Sequence, residues 1–219
     1  MIKRILEPEV MESSEEAVAY DSMDHYGVNI QFVRDLVAAG CPTRGTVLDL
    51  GTGTAQIPIE LCRMLPEINV VGIDLSEEML NLAETHIASS SFGERIRLEK
   101  VDAKKISNQA MQYDICVSNS IVHHIPTPAE IFFQAVQVTR AGGLIFWRDL
   151  LRPDSDAEVQ HLVQTYAGQE NEQQQRLFSD SLYAALRVEE VQSLVADLDF
   201  DPTGVTRTSD RHWTWCARK

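Results

Sequence analysis

Short apolar runs alternate with segments of helical spacing along the middle of the chain, and this alternation limits the folds that it can adopt. The runs that we predict as buried strands are 47–50, 70–73, 96–101, 113–117 and 144–147. The segments with helical spacing are 57–65, 77–82 and 128–138. Ser76 is predicted to cap the second of these helices. Strands that alternate with helices form βαβ units, so we predict an α/β fold with a mostly parallel sheet.

Both ends of the chain lie outside this alternation. Residues 14–39 have the spacing of one or two helices. Residues 151–187 are polar and helix-prone, and we predict that they pack over the edge of the sheet and cover the functional site. A further helix is predicted at 188–198, and two short strands at 204–208 and 212–217 are predicted to pair antiparallel.

The chain is strongly acidic, with 33 Asp and Glu against 19 Lys and Arg and a formal net charge of −14 at pH 7. Such a surface repels nucleic acids and anionic membranes, so we expect neither as a partner. No apolar run reaches the roughly 18 residues of a membrane span and no signal-peptide region is recognised, so we predict a cytoplasmic protein. The four cysteines form no CxxC pair, and we expect neither a disulfide framework nor a metal site.

A glycine turn, Gly51-Thr52-Gly53, separates the first predicted strand from the first helix of the alternation. Such a turn lets a ligand approach the backbone amides at the start of a helix. A dinucleotide-binding turn would have a third small residue where this chain has Gln56, and a phosphate-binding loop would carry a Lys. Asp49 lies two residues before the turn, so a ligand with an ammonium or sulfonium group is favoured over a pyrophosphate.

Acidic residues follow the second and third predicted strands. Asp74 comes 21 positions after Gly53, where its carboxylate can accept both hydrogen bonds of a ribose diol. Asp102 stands at the corresponding end of the third strand and can accept a hydrogen bond from an adenine amine. Either residue alone is more often a helix cap or a solvated loop residue. Together with the glycine turn they indicate an adenosine-containing cofactor.

The sequence closely resembles the class I S-adenosylmethionine (SAM)-dependent methyltransferases. The segments that carry the resemblance are 47–54, 71–76, 101–103, 113–120 and 140–144. The family implies a doubly wound, Rossmann-like α/β fold, in which a seven-stranded mixed sheet has helices on both faces and a reversed last strand. It also implies SAM as the cofactor. The domain then consists of an N-terminal helical cap (1–44), the SAM-binding core (45–150), a helical lid (151–187) and a closing helix with antiparallel strands (188–219).

The resemblance also implies roles for individual residues. Gly51, Thr52 and Gly53 would hold the methionine part of the cofactor, near Asp49 and Asn119. Asp74 would bind the ribose and Asp102 the adenine. The residues that would wall the adenine are Leu75, Met79 and Ala103. Tyr20 and Tyr26 would either close over the methionine end or pack within ordinary helices.

The segment after the fourth strand bears on the methyl acceptor. Family members that methylate amino groups of nucleic acids commonly carry Asn/Asp-Pro-Pro-Tyr there, whereas this chain has Ser-Asn-Ser-Ile at 118–121. The following His123-His124 pair resembles that of small-molecule quinone and sugar O-methyltransferases. We hypothesise that His124 or His123 acts as a base oriented by Asp149, because a positioned histidine suits deprotonation of a hydroxyl group. In the alternative, the pair serves only helix capping and packing.

These observations predict a SAM-dependent methyltransferase that acts on a small molecule, with O-methylation ahead of C- or N-methylation. The reaction is expected to be an in-line displacement. The alternative is a SAM-binding regulator or scaffold without methyl transfer. A nicotinamide-linked oxidoreductase is disfavoured by Gln56 and Asp49.

Overall fold

Seven strands form one mixed sheet in the residues that the structure describes. The structure is a computed structural model, and it describes residues 2–8, 13–23, 26–108 and 112–219. The strands are β1 (Arg44–Leu50), β2 (Glu67–Asp74), β3 (Ile96–Lys100), β4 (Tyr113–Asn119), β5 (Thr139–Leu150), β6 (Val205–Arg207) and β7 (His212–Arg218). Their order across the sheet is β3-β2-β1-β4-β5-β7-β6. Strands β1 to β5 are parallel and β7 is antiparallel to its neighbours, which confirms the predicted topology.

Helices connect the strands and cover the sheet. The α-helices of the described ranges are α1 (Ser14–Asp21), α2 (Tyr26–Ala38), α3 (Gln56–Met64), α4 (Glu77–Ala88), α5 (Pro128–Val138), α6 (Asp156–Ala167), α7 (Glu172–Ala184) and α8 (Val188–Ala196). The predicted cap of α4 is confirmed, since the Ser76 hydroxyl accepts the Met79 N–H at 3.3 Å. None of these helices has both the length and the apolar character needed to cross a membrane.

Neighbouring side chains of the central strands point to opposite faces, and each face has its own apolar core. On one face, Leu48 and Leu50 of β1 are buried together with residues of α5 and α8. On the other, Val47 is buried together with residues of α2, α3 and α4. A sheet with helices on both faces leaves its strand ends as the natural place for a ligand. The predicted doubly wound, Rossmann-like α/β fold is confirmed.

Strand β5 is longer than the predicted run 144–147. Its last residues, Arg148 to Leu150, pair with β7 and are buried. Burial of Arg148 is stabilised by hydrogen bonds from its guanidinium to Thr214, at 3.0 Å, and to the Asp35 carboxylate, at 2.7 Å. The apolar sequence pattern ends at the charged Arg148. The strand continues past it because Thr214 and Asp35 provide hydrogen-bond partners for the guanidinium. The extension brings Asp149 to the carboxyl end of the sheet.

Residues 151–187 contain α6 and α7, which pack together beside the end of β5. Their buried side chains form a small apolar cluster with Leu150; its buried members from this segment are Val159, Leu162, Leu182 and Ala185. The amide of Gln174 on α7 also lies 3.4 Å from the Ala19 carbonyl and from the Ser22 hydroxyl. The segment is thus anchored to β5 and reaches the end of α1.

An extended N-terminal segment, residues 2–8, runs along the end of α7; we call it the strap. The Ile5 N–H donates to the Tyr183 carbonyl at 3.1 Å, and the Arg4 side chain donates to the Ala184 carbonyl at 2.7 Å. The same guanidinium donates to the carbonyls of His123, at 3.2 Å, and Ile125, at 2.9 Å. The strap therefore links α7 to the segment that follows β4.

The core on the α5 face depends on a group of large aromatic rings. Phe132 of α5 is fully buried, and its ring centroid lies 4.7 Å from that of Trp147 and 5.3 Å from that of Trp215. The next residue of the same helix, Phe133, is 46% exposed. Phe132 and Phe133 thus have the same side chain and lie on the same helix, but only Phe132 is buried.

We expect Phe132→Ala to lower the free energy of unfolding by about 3–5 kcal/mol, because the ring leaves a cavity between two indoles. Phe133→Ala is the matched control and should cost less than about 1 kcal/mol. Urea unfolding followed by circular dichroism measures both values. Equal losses in the two variants would contradict the packing described for this face.

Candidate functional site

A cavity opens at the carboxyl ends of β1, β2 and β4. Ten of the fifteen predicted site residues line it, namely Tyr20, Gly51, Gly53, Asp74, Leu75, Met79, Asp102, Ala103, Asn119 and His124. The lining residues that sequence reasoning missed are Ile73, Ser76, Val101, Lys104, Ser120, Ile121 and Ile125. All seven lie within two positions of a predicted site residue. Extending each predicted motif by two residues on either side would have included all seven.

Hydrogen bonds hold the glycine turn against the end of β2. The N–H groups of Gly51 and Thr52 both donate to the Ile73 carbonyl at 2.9 Å. Gly51 has φ +69°, and a Cβ there would lie 2.5 Å from the Cδ1 of Ile121. Position 51 therefore requires glycine for its backbone conformation and for the close approach of Ile121.

Asp74 ends β2 and organises the backbone around the cavity. One carboxylate oxygen accepts the Gly53 N–H and the other accepts the Ser76 N–H, both at 2.9 Å. Burial raises the pKa of Asp74, and these hydrogen bonds oppose the shift. Since a carboxylate oxygen accepts more than one hydrogen bond, Asp74 can still receive a donor from the cavity.

Asp102 has cationic partners that the sequence analysis did not identify. Its carboxylate accepts the Lys104 N–H at 3.0 Å and lies 3.0 Å from the Nζ of Lys104 and 3.2 Å from the Nζ of Lys105. Burial acts to raise the pKa of Asp102, but the hydrogen bonds from the two lysines hold it below its usual value. This corner of the cavity therefore presents an ion pair, in which Lys104 also lines the cavity.

Thr52, the middle residue of the turn, and the neighbouring Asp49 do not line the cavity. Asp49 is 1% exposed, and its carboxylate accepts the Thr52 hydroxyl at 2.8 Å. Burial raises the pKa of Asp49 to about 7; the Thr52 hydrogen bond opposes this shift and the nearby Asp74 adds to it. A carboxyl group with this pKa is present in both protonation states near neutral pH.

Asn119, at the end of β4, brings an unsatisfied acceptor to the cavity. Its side-chain oxygen is buried and has no hydrogen-bond partner in the structure. A buried carbonyl oxygen without a donor costs free energy, so this atom favours a ligand that supplies one.

The two predicted tyrosines lie on different helices and in different places. Tyr20 of α1 lines the cavity, where burial and the nearby Asp74 raise its pKa to about 12. Tyr26 begins α2, is 64% exposed and lines a separate cavity with Asn29 and Gln56. The structure therefore brings Tyr20, but not Tyr26, to the cavity at the strand ends.

The histidine pair lies on the turn Val122–His124 after β4. Nδ1 of His123 is 2.5 Å from a carboxylate oxygen of Asp149. The same carboxylate accepts the N–H groups of Val122 and Leu150 at 2.6 Å. Burial acts to raise the pKa of Asp149, but the contact with His123 and these donors hold it below its usual range.

His123 and His124 face different surroundings. His123 is 3% exposed and is not among the residues that line the cavity in the described ranges, whereas His124 lines it. Their ring centroids are 4.2 Å apart. Burial, with the neighbouring His123, lowers the pKa of His124 to about 3, so its ring is neutral at pH 7. The predicted arrangement of one histidine that is both held by Asp149 and open to the cavity does not form.

The predicted lid does not reach this cavity in the described part of the chain. Its lining residues come from α1 and from residues 51–125, and none comes from 151–187. Helix α7 instead contacts the strap, since the Ser181 hydroxyl lies 3.2 Å from the Glu7 carboxylate. In the described residues, the segment contacts the strap, and Glu7 of the strap lies beside the histidine pair.

Comparisons with known proteins agree with this architecture. The chain is 29% identical over 125 residues to the malonyl-[acyl-carrier protein] O-methyltransferase of Halalkalibacterium halodurans, covering 56% of this chain and 45% of that protein. It is 28% identical over 119 residues to the ubiquinone biosynthesis O-methyltransferase of Azoarcus sp. strain BH72, covering 54% and 50% respectively. The chain therefore spans about half the length of these curated relatives.

A solved structure and a family model extend the match. The plantazolicin methyltransferase BpumL, crystallised with a triazolic desmethylPZN analog and SAH, has a TM-score of 0.70 to this fold at 15% identity. That likeness covers 93% of this chain and 89% of that one, and it concerns the fold. The family model described as a methyltransferase domain matches residues 43–198. Because this match covers more than half of the chain, the protein belongs to the family of methyltransferase domains.

Proposed function

We propose that this protein is a SAM-dependent methyltransferase that transfers a methyl group to an oxygen atom of a small molecule. The observation that carries the proposal is the cavity at the strand ends, where the glycine turn, Asp74 and Asn119 meet. The likeness to relatives named as O-methyltransferases supports oxygen as the acceptor atom. The absence of an Asn/Asp-Pro-Pro-Tyr segment after β4 agrees with it.

The residues of the cavity fit the chemistry of SAM. The unsatisfied oxygen of Asn119 suits the ammonium group of the methionine part, beside Gly51 and Gly53. The Asp74 carboxylate suits the ribose diol. At the other end, Asp102 with Lys104 offers polar groups to adenine, and the side chains that offer apolar walls are Leu75, Met79 and Ala103.

Bound SAM would supply a methyl group on a positively charged sulfur, and in-line attack by the acceptor oxygen on that carbon would release the sulfur as the thioether of S-adenosylhomocysteine. Positioning of the acceptor against that methyl group is worth about 7–11 kcal/mol in well-oriented reactions. His124 and Ile121 line the cavity beyond the glycine turn, and we assign this part to the acceptor. His124 faces the cavity and is neutral at pH 7, so its imidazole can accept a hydrogen bond from the acceptor hydroxyl while the proton is released to solvent.

The cofactor assignment is tested with Asp74→Asn. Loss of a charge-assisted hydrogen bond costs about 1.5–3 kcal/mol, so we expect the affinity for S-adenosylhomocysteine (SAH) to fall about 10- to 100-fold. Glu77→Gln is the matched control, because it removes the same charge from an exposed residue that pairs with Lys100. Isothermal titration calorimetry measures both. Wild-type protein that does not bind SAH would disprove the proposed cofactor.

The pH dependence of SAM binding should report on Asp49. A cation bound nearby favours the ionised carboxylate, so the affinity for SAM is expected to rise as the pH increases from 6 to 8, by about tenfold per unit at most. The rise follows from the Asp49 pKa of about 7 in the free protein. Asp49→Asn should flatten the profile in calorimetric titrations. An unchanged pH slope in this variant would show that another group is responsible.

Catalysis is separated from binding by His124→Ala. If the histidine pair assists removal of the proton, the variant should lose about 10²- to 10⁴-fold in methyl-transfer rate and keep its affinity for SAH. SAH formation from SAM, with a panel of small phenols, sugars and carboxylic acids as acceptors, measures the rate. His161→Ala removes an exposed histidine of α6 as the control. SAH binding without turnover of any acceptor would favour the SAM-binding regulator.

A further inference from the structure

Three side chains with metal-binding groups converge where the strap meets the histidine pair. Glu7 of the strap directs one carboxylate oxygen, Oε1, toward both imidazoles. It lies 3.5 Å from Nε2 of His123 and 3.2 Å from Nδ1 of His124. One ligand atom from each of the three residues lies within 4.8 Å of the other two. The Nδ1 of His124 also lies 3.4 Å from the Pro8 carbonyl oxygen.

The Glu7 oxygen at the centre of this group has no hydrogen bond. The Glu7 side chain is 91% buried, since its relative exposure is 9%, and Oε1 has no hydrogen-bond partner in the structure. The other oxygen, Oε2, accepts the Ser181 hydroxyl at 3.2 Å. A buried carboxylate oxygen is costly without a partner, and a cation between it and the two imidazole nitrogens would supply one.

The surroundings of His123 match those of a metal-binding histidine. Metal-ligating histidines usually donate their second ring N–H to a carboxylate, which fixes the tautomer and orients the ring. The Nδ1 of His123 is 2.5 Å from Asp149, and that contact leaves Nε2 as the free nitrogen directed at Glu7. Asp149 is itself fixed by two backbone N–H groups, so the orientation of the ring is set in advance.

The two distances from the Glu7 oxygen fit a first-row divalent cation. Zn²⁺ binds histidine nitrogen and carboxylate oxygen at about 2.0–2.2 Å, so neighbouring ligands of a tetrahedral ion lie about 3.4 Å apart. The Glu7 oxygen is 3.5 and 3.2 Å from the two nitrogens. Two imidazoles and a carboxylate are ligands that zinc and iron accept, whereas calcium and magnesium prefer oxygen.

We infer that Glu7, His123 and His124 form a binding site for a divalent transition metal, with Asp149 as the positioning residue behind His123. Three protein ligands leave one position of a tetrahedral ion for water or for an oxygen atom of another molecule. The metal site itself does not depend on the proposed function. A role of the ion in methyl transfer does rest on it. Because His124 lines the cavity, the ion would lower the pKa of an acceptor hydroxyl there.

A protonated His123 between two carboxylates is the competing explanation for this geometry. It would provide a counter-charge for Glu7 and Asp149 without any metal. It leaves Oε1 without a hydrogen bond, however, since the 3.5 Å contact from Nε2 does not form one. Direct measurement of metal binding separates the two explanations.

The test uses the full chain, freed of any histidine tag and of metal by dialysis against a chelator. We expect calorimetric titration with Zn²⁺ and elemental analysis to give one tightly bound zinc per chain. Glu7→Gln keeps the shape of the side chain and should weaken zinc binding at least tenfold. His161→Ala, which removes an exposed histidine outside the group, should bind as the wild type does. Co²⁺ in place of zinc should show the visible absorption of a tetrahedral ion.

Protein that retains no zinc, or equal zinc affinity in the wild type and Glu7→Gln, would overturn the site. SAH titration of the same samples tests the proposed function separately. Zinc binding without SAH binding would support the metal site and refute the cofactor assignment. SAH binding without zinc binding would support the cofactor assignment and refute the metal site. Asp149→Asn, followed by circular dichroism to check folding, should weaken zinc binding about 10- to 100-fold if Asp149 orients His123.

Discussion

The hydrogen bonds between the glycine turn and the end of β2 hold the cavity in shape. The Ile73 carbonyl accepts two N–H groups of the turn, and the Asp74 carboxylate then ties Gly53 to Ser76 at the start of α4. Two adjacent βα connections are thus joined into one rigid surface at the carboxyl ends of parallel strands. The parallel register of β1 on β2 places these two strand ends side by side and so positions the junction.

The acidic groups at these strand ends behave differently because they have different partners. Asp149 accepts two backbone N–H groups and contacts His123, and its pKa lies below the usual range. Asp74 accepts two backbone N–H groups, and burial still raises its pKa. Asp49 is buried with the Thr52 hydroxyl as donor, and its pKa rises to about 7. The pKa values of three carboxylates of one sheet thus shift in different directions or by different causes, according to their local donors.

Local sequence patterns predicted the parts of the site that are local in the fold. The glycine turn, the strand-end position of Asp74 and the Ser76 cap depend on neighbours within a few residues, and the structure has them as predicted. The sequence could not show which histidine Asp149 contacts, because that depends on how β5 and the turn after β4 meet. The ion pair of Asp102 with Lys104 joins residues only two positions apart, but the sequence does not fix the direction of the lysine side chain.

The strap is the clearest case of a contact that sequence reasoning could not find. Glu7 lies far from the histidines in sequence, and backbone and side-chain bonds of the strap to α7 bring it to them. Helix α7 is in turn fixed to the end of β5 through the cluster around Leu150 and Leu182. Residues 151–187 therefore contact the strap, and the strap places the Glu7 carboxylate beside His123 and His124. Under the proposed function, these contacts place the Glu7 carboxylate near the acceptor, whereas the cofactor would be held by β1, β2 and the glycine turn.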